Sequence, residues 1–198
     1  MLRLVHAASI AAALSFCALS ALASEATRLA ADLRPEPRPD DVPVLVTQRL
    51  DAEWLAAQPA ASGDAQWRCL TEALYFEARG EGVLGQFAVA EVILNRVDSA
   101  RFPASVCGVV QQGTGRKWQC QFTYRCDGIP ETVRDRRSWT RVGKIARLAL
   151  DGTPRTLTSG AMFYHTRAVS PSWSRVFFRT TTIGAHHFYS PDAQLASG

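Results

Sequence analysis

The stretch LTEALYFEARGEGVLGQFAVAEVILNRV, residues 70–97, decides the fold. It contains most of one apolar pattern and all of a second, separated by the glycine-containing segment 80–82. The first pattern extends over residues 66–79, and its apolar residues recur at helical spacing. The second extends over residues 85–97 and is apolar almost all round, which is typical of a buried central helix. The sequence therefore predicts a helical domain built around the second of these helices.

Glu77 lies on the apolar face of the first predicted helix. Leu70, Ala73 and Leu74 precede it at intervals that put all four residues on one stripe. A carboxylate on a core-facing stripe loses hydration, which raises its pKa. A general acid that works near neutral pH needs such a shift. The alternative is a helix-end glutamate that turns to solvent or pairs with Arg79.

The rest of the chain predicts further helices and then a small sheet. The polar residues of the second helix, Glu91, Asn95 and Arg96, need partners because the helix is otherwise apolar. Downstream the patterns predict a short helix from Pro103 to Val110, a loop over residues 113–128, a helix over 138–150, and strands over 161–165 and 180–189. The expected fold is mainly α (α+β), a helical core with a small C-terminal β-sheet.

The N-terminal quarter has the pattern of an export signal followed by a tether. Residues 1–23 combine Arg3, an apolar run over 10–22 and the small-residue site Ala-Leu-Ala. The run is short for a membrane span, so an uncleaved anchor is the alternative and no stable membrane insertion is expected after cleavage. Residues 24–63 are proline-rich near residues 35–43 and predict an extended tether. Residues 64–198 are then the folded domain.

Four cysteines lie beyond the predicted signal: Cys69, Cys107, Cys120 and Cys126. An even number in an exported chain predicts two disulfides, and four cysteines allow three pairings. The short separation of Cys120 and Cys126 favours a local loop, which leaves Cys69 to pair with Cys107. Zinc binding is the alternative, although the chain has no CxxC pair.

The charge pattern argues against a nucleic-acid partner. The formal net charge is +4, and no run of lysine and arginine alternates with aromatic residues. A mild basic excess is typical of a solubilising surface, or of adhesion to an anionic wall or membrane surface.

The ordered motifs of the domain resemble the SleB-type cell wall hydrolase family, named for spore cortex-lytic enzymes. The resemblance covers roughly two-thirds of the chain, and an ordered series is more specific than any one motif. The matching motifs are EARGE at 77–81, GQ at 85–86, AVA at 88–90, VILNRV at 92–97, FP at 102–103, VCGVV at 106–110, CQF at 120–122, YH at 164–165, and IG at 183–184 followed by His186.

The resemblance implies a lysozyme-like catalytic domain that cleaves the glycan strands of peptidoglycan. The first glutamate of the EARGE motif is the family's catalytic acid, which corresponds to Glu77. Some members are lytic transglycosylases, in which one glutamate protonates the glycosidic oxygen and then recovers a proton from the sugar's own C6 hydroxyl. That chemistry needs no second carboxylate, unlike a standard glycosidase pair. Together with the predicted export signal and the four cysteines, the resemblance predicts an exported enzyme of the periplasm or cell wall, without a cofactor.

Six further residues are candidate substrate contacts. In the predicted loop, Gln121 offers an amide and Phe122 a ring that stacks on sugar, or else Phe122 belongs to the core. Adjacent His186 and His187 must point to opposite faces of a strand, and the resemblance favours His186 for the site. The candidates are Glu81, Gln121, Phe122, Tyr164, His165 and His186.

Two other function classes remain open from the sequence. A metal-dependent amidase would use His165, His186 and a carboxylate, although the chain has no HExxH motif. A non-catalytic wall-binding protein on the same fold would lack the acid, whereas Glu77 is present.

Overall fold

The computed structural model describes residues 50–115, 117 and 119–192. Five α-helices in this part pack together, and a three-stranded sheet follows them. This confirms the predicted mainly α fold with a small C-terminal sheet. The helices are α1 (Ala52–Ala57), α2 (Ala65–Ala78), α3 (Val83–Asp98), α4 (Val106–Val110) and α5 (Arg136–Leu150).

Helix α2 forms where the sequence predicts it and presents its apolar stripe to the core. The carboxylate of Asp64 caps its first turn by accepting a hydrogen bond from the Trp67 N–H. Leu70, Ala73 and Leu74 are fully buried. The helix ends at Ala78, before the two glycines, so α2 does not carry Glu81.

Helix α3 is the central helix that its sequence predicts, with eleven buried residues. Three of its polar residues bind the segment before the sheet. Glu91 accepts hydrogen bonds from the backbone N–H groups of Leu157 and Thr158. Asn95 donates to the Ala161 carbonyl, and Arg96 donates to the carbonyl of Met162. The polar side chains on α3 thus fix the start of the sheet against the helical core.

The core extends further towards the N-terminus than the predicted boundary at residue 64. Leu50 and Leu55 are buried in the same hydrophobic cluster as α2, α3 and α5. The ammonium of Lys144 on α5 donates to the last carbonyls of α1, those of Leu55 and Ala56. The predicted signal peptide and the proline-rich stretch lie outside the described residues.

Two disulfides connect the segments around α4 and the loop that follows it. Cys69 on α2 pairs with Cys107 on α4, and Cys120 pairs with Cys126. Helix α4 starts at Val106 and not at Pro103, because Ser105 caps it. The predicted loop contains one short 3₁₀ helix, Thr123–Arg125.

The C-terminal region is an antiparallel sheet with the order β1-β3-β2. The strands are β1 (Phe163–Thr166), β2 (Phe178–Ile183) and β3 (His186–Ser190), with a 3₁₀ helix, Ser172–Arg175, between the first two. The second predicted strand, over 180–189, is therefore a hairpin and not one strand. Gly184 makes the turn with a positive φ of 57°, a conformation that favours glycine.

No helix in residues 50–192, positions 116 and 118 aside, is long and apolar enough to cross a bilayer.

Candidate active site

A cleft of about 440 Å³ lies between the helical core and the sheet. Its size is in the range of small-molecule and ligand sites. Helix α2, helix α3, the disulfide-closed loop and strands β1 and β3 all contribute side chains. The lining residues are Phe76, Glu77, Arg96, Gln121, Phe122, Thr123, Tyr164, His165, Thr166, Val169 and His186.

Glu77 is the only carboxylic acid among the described residues that line this cleft. Burial raises the pKa of Glu77 above its usual value, because the charged form loses hydration. The Tyr164 hydroxyl, which donates a hydrogen bond to Oε2 at 3.2 Å, and the charge of Arg96 both oppose this shift. Arg79 does not pair with Glu77; its guanidinium lies 5.0 Å from the centre of the Tyr75 ring. The direction of this shift favours the protonated carboxyl group, which is the form that a general acid needs.

Arg96 supplies a buried positive charge behind the cleft. Its Nε donates to the Met162 carbonyl at 2.7 Å, and Nη1 is buried without a hydrogen-bond partner. The guanidinium lies 5.3–5.6 Å from the ring centres of Phe102, Phe122 and Phe163. Burial lowers the pKa of Arg96 to about 10, so that it remains protonated at neutral pH. A cation in this position favours the negative charge that Glu77 carries after it releases its proton.

Tyr164 is held on β1, next to Glu77. Burial, and then the negative charge of Glu77, raise the pKa of the Tyr164 hydroxyl well above its usual value. The hydroxyl therefore stays protonated and acts as a donor. It occupies Oε2 of Glu77 and leaves Oε1 for another partner.

His186 and Glu81 form a pair that connects the hairpin to the turn after α2. Nδ1 of His186 lies 3.1 Å from Glu81 Oε1, and the backbone N–H of Ala185 donates to the same carboxylate. His186 is only 4% exposed on its side chain and Glu81 only 11%. The His186 ring meets the Tyr164 ring edge-on, with 5.3 Å between centres. Glu81 does not line the cleft, so its direct contact with a substrate remains only a prediction, whereas its contact with the hairpin is explicit.

His165 lines the cleft but does not form a hydrogen bond with Glu77. Its Nδ1 lies 2.8 Å from the carbonyl oxygen of Thr166, which can only accept, so Nδ1 carries the proton. Nε2 then accepts from the Tyr189 hydroxyl at 2.9 Å. Trp173 packs against the same ring. His187 points to the other face of β3, where it meets the Thr182 hydroxyl.

Gln121 and Phe122 reach the cleft from the loop closed by Cys120 and Cys126. Gln121 is partly exposed, and its backbone N–H is fixed by the Gln112 carbonyl. Phe122 is buried against Arg96 and is part of the hydrophobic core. Phe122 is therefore a core residue, which is the alternative that the sequence left open, and it also lines the cleft.

A metal centre of the kind that an amidase needs is not formed by the described residues. No three histidine, cysteine, aspartate or glutamate side chains come together there in a way that could hold a metal ion. Both ring nitrogens of His165 already have partners.

A second and larger cavity, of about 520 Å³, lies between α1 and α5. Its walls are apolar, from Leu55, Val83 and neighbouring alanines, and its rim carries arginines and Lys144. It has no carboxylate and no nucleophilic cysteine or histidine among its lining residues. The chemistry of the side chains therefore favours the smaller cleft as the active site.

Sequence reasoning did not identify Arg96 as a site residue, nor Thr123, Thr166 and Val169. For Arg96 a signal exists, because a charge on a helix that is apolar almost all round must be paired or functional. The other three carry no distinguishing pattern.

The family model described as Cell Wall Hydrolase matches residues 80–189, which is more than half of the chain. Glu77 lies three residues before the start of this match.

Curated relatives match over a short stretch of the chain. The spore cortex-lytic enzyme of Halalkalibacterium halodurans is 50% identical over 52 residues, 26% of this chain and 16% of that protein. That of Bacillus subtilis is 49% identical over 55 residues, 28% of this chain and 18% of that protein. These matches thus span less than a fifth of the length of either relative.

Two solved structures share the fold. One is the catalytic domain of the germination-specific lytic transglycosylase SleB from Bacillus anthracis, with a TM-score of 0.52 and 31% identity. That match covers 67% of this chain and 100% of the other. The catalytic domain of the Bacillus cereus SleB protein matches with a TM-score of 0.51 and 31% identity, over 67% and 94% of the two chains.

Proposed function

Because the chain belongs to the cell wall hydrolase family, we propose that it cleaves the glycan strands of peptidoglycan, with Glu77 as its only acid and base. The bond cut is that between N-acetylmuramic acid and N-acetylglucosamine, and the reaction is that of a lytic transglycosylase. One observation carries the proposal: Glu77, a partly buried acid with a raised pKa, is the only carboxyl group among the described residues that line the cleft.

In the first step Glu77 donates its proton to the glycosidic oxygen while the C1–O bond breaks. Burial favours the protonated form of the carboxyl group, and because Tyr164 donates to Oε2, Oε1 is left to face the substrate. The part of the strand that begins with N-acetylglucosamine leaves with the protonated oxygen as a hydroxyl group. The hydrogen bond from Tyr164 and the charge of Arg96 stabilise the carboxylate that remains.

In the second step the carboxylate of Glu77 accepts the proton of the C6 hydroxyl of the muramyl residue. The C6 oxygen bonds to C1 and closes a 1,6-anhydro ring, so no water is consumed and Glu77 regains its proton. A hydrolase of the usual kind needs a second carboxylate, about 5–9.5 Å from the first, as nucleophile or base. The absence of a second acid among the described residues of the cleft supports the intramolecular route.

The substrate and location follow from the same proposal. We expect the protein to act on peptidoglycan outside the cytoplasm, after removal of residues 1–23. The pairing of all four cysteines in the described part fits an oxidising compartment. Intact-mass measurement of exported protein tests this: a form that starts at Ser24 supports it, and a form that retains Met1 contradicts it.

Replacement Glu77→Gln tests the acid directly. It keeps the size of the side chain and its contact with Tyr164 but removes the transferable proton. We expect the release of muropeptides from purified sacculi to fall on the order of a thousandfold, since a general acid contributes about 10²–10⁴. Unchanged release would exclude Glu77 as the acid, and binding to sacculi without any release by the unaltered protein would favour the non-catalytic wall-binding alternative.

The masses of the products separate the two glycosidase reactions. Transglycosylation leaves 1,6-anhydromuramyl ends, whereas hydrolysis adds one water and leaves reducing ends. Anhydro ends are the expected result. Reducing ends would mean that a second base, outside the described lining of the cleft, activates water.

A further inference from the structure

The segment Arg175-Val176-Phe177-Phe178-Arg179 exposes apolar side chains between two arginines, and we name these five residues the RVFFR edge. It joins the 3₁₀ helix Ser172–Arg175 to β2, which is an outer strand of the sheet. Val176 is 75% exposed and Phe178 is 50% exposed, and both flanking arginines are exposed. Adjacent exposed apolar residues of this size indicate an interaction surface.

The RVFFR edge is held rigidly by its middle residue. The Phe177 ring packs 4.8 Å from the Phe163 ring and 5.8 Å from the Trp173 ring, measured between centres. The backbone N–H groups of Val176 and Phe177 both donate to the Trp173 carbonyl. Since Phe177 points inward, Val176 and Phe178 on either side of it point outward. Their exposure is therefore fixed by the fold.

The two charged residues of this edge are both arginines, and Asp192, two residues beyond the Ser190 that pairs with Phe178, is already paired with Arg101. Residues 152–191 contain four arginines and no aspartate or glutamate. Arg155 pairs with Asp98, but neither Arg175 nor Arg179 takes part in the ion pairs of the described residues. Arg179 lies over the Tyr189 ring, with 6.0 Å to its centre. The edge thus presents uncompensated positive charge beside exposed apolar groups.

We propose that the RVFFR edge binds the surface of an anionic phospholipid bilayer. Val176 and Phe178 enter the boundary between headgroups and acyl chains, and Arg175 and Arg179 contact lipid phosphates. A glycan is the weaker fit, because a branched aliphatic side chain such as Val176 has no flat face to stack on a sugar ring. A bilayer surface takes up both kinds of side chain at once. Bound in this way, the enzyme works on peptidoglycan next to the membrane.

Co-sedimentation of the full chain with vesicles tests the proposal. Vesicles of zwitterionic phosphatidylcholine are compared with vesicles that also contain anionic phosphatidylglycerol. We expect binding that requires the anionic lipid and weakens with added salt, because the charges involved are exposed. All variants are made in the full chain, so the N-terminal residues contribute equally to the binding of each one.

Two double variants separate the apolar from the electrostatic part. Val176→Ser with Phe178→Ser should weaken binding on the order of tenfold or more, since it removes the apolar groups that leave water. Arg175→Gln with Arg179→Gln should weaken it about fivefold per arginine and remove the dependence on anionic lipid. The single variant Arg175→Gln keeps the contact between Arg179 and Tyr189. It therefore shows the effect of losing one charge without the loss of that structural contact. Matched controls are Ile129→Ser, at an apolar residue that is 68% exposed elsewhere, and Arg136→Gln with Arg137→Gln, at exposed arginines on α5.

The Val176→Trp variant gives a positive signal. Insertion should shift the tryptophan emission, relative to the parent protein, to shorter wavelength on anionic vesicles only. The proposal is wrong if the variants at the edge and the controls bind equally, or if no shift appears. It is also wrong if the edge variants keep binding to vesicles but lose binding to sacculi, which is measured on the inactive Glu77→Gln background. A third contradicting result would be a dimer of the parent protein, seen in sedimentation equilibrium, that the edge variants abolish. None of these measurements requires turnover, so the proposed function and this inference can fail separately.

Discussion

The acidity of Glu77 depends on a balance between burial and two neighbours. Burial favours the protonated form, whereas the Tyr164 hydroxyl and the Arg96 charge favour the carboxylate. In the proposed reaction Glu77 must release a proton and take one back, so neither form can be favoured too strongly. Tyr164 and Arg96 keep the pKa of Glu77 from rising further.

Replacement Tyr164→Phe should shift the decline of activity at high pH, the basic limb of the pH–activity profile, to higher pH. It removes a hydrogen bond that lowers the pKa of Glu77, so that this pKa rises further. The proton needed for catalysis is lost as pH rises through the pKa of Glu77. The decline of kcat/KM at high pH should therefore occur at higher pH in the variant, measured on soluble glycan fragments.

The control for this prediction is Tyr189→Phe, which removes a hydroxyl that contacts His165 and not Glu77. We expect its basic limb to stay in place. A basic limb that moves to lower pH in Tyr164→Phe would mean that another group is the acid.

Replacement Gly184→Ala should destabilise the hairpin through Glu81. An added Cβ would lie 1.8 Å from Glu81 Oε2, and the residue has a positive φ. The carboxylate must move away from the Ala185 N–H, and the left-handed backbone adds its own cost. We expect a loss of about 3 kcal/mol in the free energy of unfolding, measured by denaturant titration.

Gly152→Ala is the matched control, because Gly152 also has a positive φ but nothing within 4 Å of the added Cβ. It should cost only about 1 kcal/mol, the part due to the backbone. In a Glu81→Ala background the cost of Gly184→Ala should fall towards the control value. Equal costs in both backgrounds would contradict the role of Glu81.

At the scale of elements, α3 determines where the sheet begins. Glu91 accepts three hydrogen bonds, from the Leu157 N–H and from the N–H and hydroxyl of Thr158. The chain continues from there into β1, which carries Tyr164. The position of Tyr164 relative to Glu77 therefore depends on a carboxylate that lies outside the cleft.

Replacement Glu91→Ala should cost about 3 kcal/mol of unfolding free energy, because it leaves buried donors of Thr158 without an acceptor. Glu91→Gln should cost less, since one oxygen remains to accept. The activity should fall in the same order, as β1 loses its anchor. Thermal and denaturant unfolding check the stability, with the exposed Glu53→Gln as control. If Glu91→Ala is as stable as this control, the anchor is not at Glu91.

The sequence predicts a helix or strand correctly where the local pattern of apolar residues alone determines it. The stripe through Leu70 and Leu74 and the apolar surface of α3 predict both helices, because burial has a helical period in each. The start of α5 at Arg136 follows from the cap at Asp135, which accepts from two N–H groups and which periodicity alone does not detect. The hairpin appeared as one strand because β-branched and aromatic residues continue on both sides of Gly184.

At the scale of the whole molecule, the cleft unites residues that are far apart in the chain. Tyr164 is 87 residues from Glu77, and Ala185 is 104 residues from Glu81. No local pattern encodes either contact. The family resemblance indicated Tyr164 and His186 as members of the site, but the link from Glu81 through His186 to Tyr164 became apparent only from the geometry. For that reason Glu81 was predicted as a substrate contact, while its position supports a role in holding the hairpin.

The two disulfides should differ in what their loss does to the molecule. Cys69 and Cys107 enclose 38 residues and join α2 to α4, whereas Cys120 and Cys126 enclose 6. Chain entropy then predicts a loss of about 4 kcal/mol for Cys69→Ser with Cys107→Ser, and about 2 kcal/mol for Cys120→Ser with Cys126→Ser. The smaller loop, however, carries Gln121 and Phe122 at the cleft, so its opening should reduce activity more than its effect on stability implies. Denaturant titration and muropeptide release, measured on both double variants, check this: if the variant at Cys120 and Cys126 keeps full activity, the loop does not shape the cleft.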